Sequence, residues 1–286
     1  LENIILADKV KILSVVILFS ISIYAQTDTL KTISYQNVVL KTGESYEGYI
    51  LDEDSLNIKL KTIDSIEVKI PKRLINRLED IKGEKIDSVF YKHDKNEYHL
   101  YFAQTGKSIG AGNVSFGISE IFFPFVTVGI TDFASISGGI SLFPSFSDQL
   151  FYIAPKLNYT INNFSFSANA IYFNSFSNDN GGSGLAYLSS TVDQKKYSIT
   201  VGYGSGFEEN EFTKFNFLIV GLEFKAGTSS KFISENWFSG SDTPSFISFG
   251  FRTFSSTLSW DFGFITPIYD DIGFFIPWVG VTYNFR

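Results

Sequence analysis

From residue 108 onward, apolar and polar side chains alternate in segments of roughly ten residues, the period of a β-strand with one apolar face. The stretch 197–204 is the cleanest: Tyr197, Ile199, Val201 and Tyr203 share one parity, and Ser198, Thr200, Gly202 and Gly204 the other. The same division runs through 113–119, 151–160 and 257–264; in the last, Leu258, Trp260, Phe262 and Phe264 oppose Ser259, Asp261 and Gly263. Two segments, 186–192 and 231–238, alternate poorly, and the pattern alone does not assign their faces.

The connections carry a second pattern. Short turns at 131–134, 161–163, 193–195, 227–229 and 254–256 interleave with longer polar loops at 144–149, 175–183, 206–213, 239–245 and 266–273. Short turns at one end and long loops at the other characterise transmembrane β-barrels, whereas a soluble up-and-down barrel gives no reason for the segregation. If the preceding domain and the last strand's end lie on one side, the strand number is even. The turns delimit eleven strands from 122–131 to 274–285, and 112–119 supplies a twelfth through a very short link at Glu120 and Ile121. The expectation is an all-β fold built on a closed antiparallel transmembrane β-barrel of about 12 strands, with ten as the alternative. The apolar parity then meets lipid, and Tyr159, Tyr197, Trp237, Trp260 and Tyr283 form an aromatic girdle near the strand ends. No run after residue 108 approaches the ~18–20 apolar residues that a helical span needs.

Composition changes at the same boundary. Residues 26–107 hold 13 basic and 14 acidic side chains; residues 108–286 hold 8 and 14 over more than twice the length, and 28 of the 31 phenylalanines. The division expected is a signal peptide at 1–25, a small periplasmic β domain at 26–81, a linker at 82–107 and the barrel at 108–286. The signal rests on Lys9 and Lys11 ahead of the apolar run 12–23, followed by Ala25. With no cysteine, thiol chemistry and cysteine metal sites are excluded.

The final strand, VGVTYNFR, puts Val279, Val281, Tyr283 and Phe285 on one face. It resembles the C-terminal assembly signal of bacterial outer-membrane barrels, with Val281, Tyr283 and Phe285 as its residues; Arg286 after Phe285 is a departure. More broadly, VGITDFASISGGI (128–140), SENWFSG (234–240), ISFGFR (247–252) and PWVGVTYNF (277–285) resemble stretches of a Bacteroidota outer-membrane barrel family. The resemblance covers most of 100–286 and its motifs are structural. It implies an outer-membrane location, with lipid and the barrel-assembly machinery as partners, and brings no catalytic residues.

In front of the barrel, 38–40, 46–51, 56–60 and 66–70 read as short strands, with Gly43 and Asp54 at turns, Pro71 ending the last, and KRLINRL as a short helix or further strand. The order resembles an Sm-like or SH3-like small barrel. Relatives of that fold bind RNA, but the balanced charge and the lack of a basic stripe with aromatics argue against nucleic acid here. A domain that engages a periplasmic protein partner, or caps the barrel, is the better expectation.

Candidate chemistry is sparse. The only histidines, His93 and His99, fall in the expected linker, so a barrel hydrolase would lack its base; no enzyme activity and no cofactor are expected. His93, Asp94, Glu97 and His99 could hold a metal, though an irregular polar linker is the commoner meaning of such a stretch. In the barrel, Lys156, Arg252 and Asp261 share parity with the small polar residues, and Glu223 joins them on a strand of ambiguous parity. These four are the lumen-facing candidates, either as ion pairs filling the interior or as an eyelet for solutes. Glu208, Glu209, Glu211, Asp270 and Asp271 could attract calcium but lack the spacing of a calcium loop. The two function readings are an anchor presenting the small domain and a narrow pore for small, mostly neutral solutes.

Overall fold

Nineteen strands follow from these alternations in a computed structural model, which describes residues 35–87, 89–120, 122–142, 149–176, 181–208, 211–240, 245–268 and 274–285. The signal peptide expected at 1–25 lies outside them, as do Glu209, Asp270, Asp271 and Arg286 and most of the long connections.

The first five strands are β1 (Tyr35–Leu40), β2 (Ser45–Glu53), β3 (Asn57–Thr62), β4 (Glu67–Pro71) and β5 (Ile75–Ile81), all antiparallel in the order β4-β3-β2-β1-β5. Gly43 turns the chain after β1 at φ +92°, where a Cβ would be strained. Asp54 closes the β2–β3 turn by accepting from the N–H groups of Leu56 and Asn57. KRLINRL divides into a 3-10 turn (Lys72–Leu74) and β5. Val38, Leu40, Leu60 and Ile70 are buried on the inner face, backed by Tyr46, Ile50, Val68 and Ile75.

The stretch 82–107 is more than a linker. It begins as a two-stranded ribbon, β6 (Gly83–Ile86) with β7 (Val89–Lys92). Phe90 on β7 stacks on Tyr35 at 4.2 Å between ring centres, with Tyr49 edge-on to Tyr35, which joins ribbon and sheet into one unit. Burial there, with Glu47 nearby, pushes the Tyr35 phenol up to about 12.

The remaining strands are β8 (Val114–Ser119), β9 (Phe123–Gly129), β10 (Ala134–Ile140), β11 (Leu150–Ile161), β12 (Phe164–Ser175), β13 (Ser183–Asp193), β14 (Tyr197–Glu208), β15 (Glu211–Gly227), β16 (Ser230–Ser239), β17 (Ser245–Phe254), β18 (Leu258–Ile268) and β19 (Ile276–Asn284). Each pairs antiparallel with its sequence neighbour, and β19 closes the sheet on β8 through Gly280↔Ser119 to Asn284↔Ser115. The barrel therefore has twelve strands, and the alternative of ten is set aside. Closure leaves no unpaired edge. The short link after β8 works because Glu120 adopts φ +53°, donates its N–H to the Val279 carbonyl and accepts the Val279 N–H on its own carboxylate.

One expected loop is corrected. Residues 206–213 are largely strand: β14 runs to Glu208, β15 starts at Glu211, and these two residues pair.

The apolar parity faces outward. Leu157, Leu188, Tyr203, Phe251, Phe262 and Phe264 are all exposed large side chains on the outer surface. Tyr159, Tyr197, Trp260 and Tyr283 lie on that surface toward the short-turn end. Trp237 does not join them: it turns inward, donating its indole N–H to Glu235 at 2.6 Å and packing on Phe217. On β19, Tyr283 is exposed beside Phe285, edge to face at 5.1 Å, while the Phe285 N–H bonds the Val114 carbonyl across the closing seam.

Candidate functional site: a hairpin inside the barrel

The inner wall carries more charge than the four expected side chains. Lys156 on β11, Glu223 on β15, Arg252 on β17 and Asp261 on β18 are all buried within the barrel, and Lys231 and Glu235 on β16 are buried with them. The poor alternation of 231–238 had hidden these last two. Lys231, Ile233, Glu235 and Trp237 share the inward parity, so charged and large apolar residues occur where small polar ones were expected.

What they touch is the chain segment before β8. After Lys92, whose N–H bonds the Thr228 carbonyl in the β15–β16 turn, the chain rises into the barrel. It turns back at 100–103, with an isolated bridge between His99 and Gln104, and returns to start β8. The expected linker is thus, over this stretch, a hairpin. Its partners lie around the wall: Tyr98 with Ser115 on β8, Thr105 with Ser167 on β12, Gln104 with Tyr187 on β13, Asn96 with Ser259 on β18. Only a segment inside the cylinder reaches all of these.

Three charged groups hold the backbone. Glu235 accepts the N–H of Tyr101 at 2.8 Å, of Phe102 at 2.9 Å and of Ala103 at 3.1 Å, capping the tip as a bound carboxylate would be held in an amide nest. Arg252, 0% exposed, donates to the carbonyls of Asn96 (2.8 Å), His99 (3.1 Å) and Leu100 (2.6 Å) and grips Asp261 with two further bonds. Lys156 donates to the carbonyls of Tyr98 (3.1 Å) and Lys107 (2.5 Å). Asp94 bridges the two wall cations, at 2.6 Å from Lys231 and 3.3 Å from Arg252, and Lys231 also pairs Glu223.

The tip is apolar. Leu100, Tyr101 and Ala103 form one buried cluster with Ala154, Ile171, Tyr187, Phe217, Ile219 and Ile233 of the wall. Room for it comes from Gly221, where a Cβ would stand 2.3 Å from Leu100 Cδ1.

The four residues named as metal candidates are engaged with other groups in this geometry. Asp94 is committed to Lys231 and Arg252, Glu97 to His93 (3.0 Å) and Lys107 (3.0 Å), and His99 Nδ1 meets the Leu100 carbonyl. Among the described residues no cluster of His, Asp and Glu converges as metal ligands do. His99, assigned by sequence to a linker outside the barrel, is buried within it. His93 stays half-exposed at the short-turn end, where Glu97 pulls its imidazole above the ordinary value.

The small domain docks at this end. Lys225, near the end of β15, pairs Glu84 on β6; Lys196, ahead of β14, pairs Asp87 at 2.9 Å. Sheet, ribbon and hairpin thus form one path from outside the barrel to its centre.

No family model and no curated protein matches this chain. Among solved structures it is similar to the KdgM porin in complex with disordered oligogalacturonate, at 12% identity and TM-score 0.48 over 61% of this chain and 98% of that one. It is similar to the NanC porin at 9% identity and TM-score 0.45, over 60% and 99%. The Salmonella typhi OmpF complex with daunomycin aligns over 88% and 95% at 12% identity and TM-score 0.34.

Proposed function

We propose that this chain is an integral outer-membrane barrel, closed at rest, that anchors the small β domain on the periplasmic side for a protein partner. The single observation that carries the closed lumen is the hairpin held by Glu235, Arg252 and Lys156. The membrane reading rests on the outer surface: a closed sheet whose outward parity carries exposed large apolar side chains on most of its strands satisfies its backbone internally and suits hydrocarbon. A soluble monomer rarely exposes such a surface, since its largest apolar patch is about 300–600 Å². Short turns at the end where the small domain docks favour the periplasm for that domain. Its Sm-like or SH3-like resemblance, the export signal and the Bacteroidota origin belong to the same reading.

The test is to refold the chain in detergent, confirm heat-modifiable migration, and reconstitute it in planar bilayers. A folded barrel without sustained current, together with a periplasmic protein whose co-purification is lost on deleting 27–81, supports the reading. Sustained steps from the unaltered chain contradict the closed lumen and favour the alternative, a narrow pore.

A further inference from the structure

We infer that the hairpin is a gate, which withdraws through the short-turn end and leaves a conducting pore. The inference rests on the membrane reading above and adds an activity to it.

Topology permits the movement. The hairpin enters beside Thr228 and leaves toward β8, whose first residue also lies at the short-turn end, where Ala111 N–H bonds Asp132 in the β9–β10 turn. Both limbs pass through one opening. Nothing is threaded through the barrel, so withdrawal breaks no covalent bond and unpairs no wall strand.

The wall is prepared for the loss. Arg252 keeps Asp261, Lys231 keeps Glu223, and Glu235 keeps the Trp237 indole N–H, so most wall charges have a partner that is itself part of the wall. A charge that lost its only partner would be costly in a confined interior. Lys156 is the exception: its two acceptors are hairpin carbonyls, and in the vacated bore it becomes an unpaired cation facing water.

The hairpin also carries a reason to leave. Asn96 Oδ1, His99 Nε2 and Tyr101 Oη are buried without a partner among the described residues. Each such group recovers hydrogen bonds on reaching solvent. Force has a route as well, because the hairpin continues directly into β7, and the small domain is held to the rim through ion pairs of the kind that solvent weakens.

Four variants of the full chain test the gate by single-channel recording. Replacing 94–106 with a Gly-Ser linker of equal length is expected to hold the barrel open, with discrete current steps. Glu235→Gln removes the charged acceptor of three tip amides and is expected to raise the open fraction roughly tenfold or more. In that background the pair Asn96→Cys and Ser259→Cys, whose parent side chains are 2.5 Å apart, is joined by a short bis-methanethiosulfonate, which forms a disulfide with each thiol, expels methanesulfinate and is cleaved by reductant. Joined, it is expected to abolish the steps; reduced, to restore them. In the linker variant, Lys156→Gln is expected to shift selectivity toward cations.

A linker variant that folds, by heat-modifiable migration, yet stays silent overturns the gate alone. So do steps that persist in the joined cysteine pair. Failure of the unaltered chain to insert in any bilayer overturns the membrane reading and the gate with it.

Discussion

Arg252 and Asp261 stand in register on β17 and β18, and the guanidinium holds the carboxylate at two points, Nε to Oδ1 at 2.6 Å and Nη2 to Oδ2 at 2.9 Å. The same guanidinium reaches three hairpin carbonyls, so one side chain joins wall to plug. A planar five-donor group does this, while an ammonium has three donors around one point. Arg252→Ala therefore leaves Asp261 buried without its cation and is expected to cost about 3–5 kcal/mol. Arg252→Lys recovers only part of it. Urea unfolding in detergent measures both; a lysine variant as stable as the parent would contradict the bidentate role.

Glu235 caps the tip of the hairpin, and its effect is local. In Glu235→Gln the amides of Tyr101, Phe102 and Ala103 are expected to exchange with solvent roughly tenfold faster or more, since hydrogen bonds to a charged group contribute about 1.5–3 kcal/mol. Exchange in the centre of β11 and β12 stays as it was. Hydrogen exchange read by mass spectrometry separates the two, and uniform acceleration would mean that the barrel itself had loosened.

The entering limb carries a pH dependence. His93 bonds Glu97 at 3.0 Å, and the Glu97 charge raises the imidazole above its ordinary value, with Asp94 assisting and burial and Lys107 opposing. A folded pKa above the unfolded one gives a contribution fully present below about pH 6.5 and lost as pH rises through the raised value. Exchange protection at 93–97, corrected for intrinsic rates, is expected to fall across that interval. His93→Gln flattens the profile. A profile rising with pH would assign the wrong sign to the pair.

Phe262 tests the outer face. It projects from β18 between Phe251 on β17 and Val279 on β19 in register. If hydrocarbon lies against it, Phe262→Arg costs about 2–4 kcal/mol near the midplane. Folding into liposomes is expected to drop accordingly, with little change in a detergent micelle that lets arginine reach water. Equal losses in both would point to packing within the sheet instead.

The barrel was legible in the sequence because its physics repeats every second residue. Parity alone placed Lys156, Arg252 and Asp261 among the small polar side chains, and in the structure they line the interior. The hairpin was not legible. Residues 93–113 have no period, because their backbone groups bond wall side chains such as Glu235 and Tyr187 rather than a neighbouring strand. The signals that could have found it lay in the wall. Phe217, Ile219 and Ile233 are apolar on the inward parity, and Gly221 sits among them, which makes sense only if something apolar fills the centre. The unassigned face of 231–238 was the same signal, seen as disorder in the pattern.

The central claim is that the chain before β8 lies inside the barrel, and labelling tests it most directly. The protein has no cysteine, so Ala103→Cys introduces a single thiol at a position 0% exposed at the hairpin tip. In folded protein reconstituted in liposomes, a bulky membrane-impermeant maleimide is expected to leave this thiol unmodified from either side, and to modify it fully after denaturation. Rapid labelling of the folded barrel would place the tip in solvent and contradict the account.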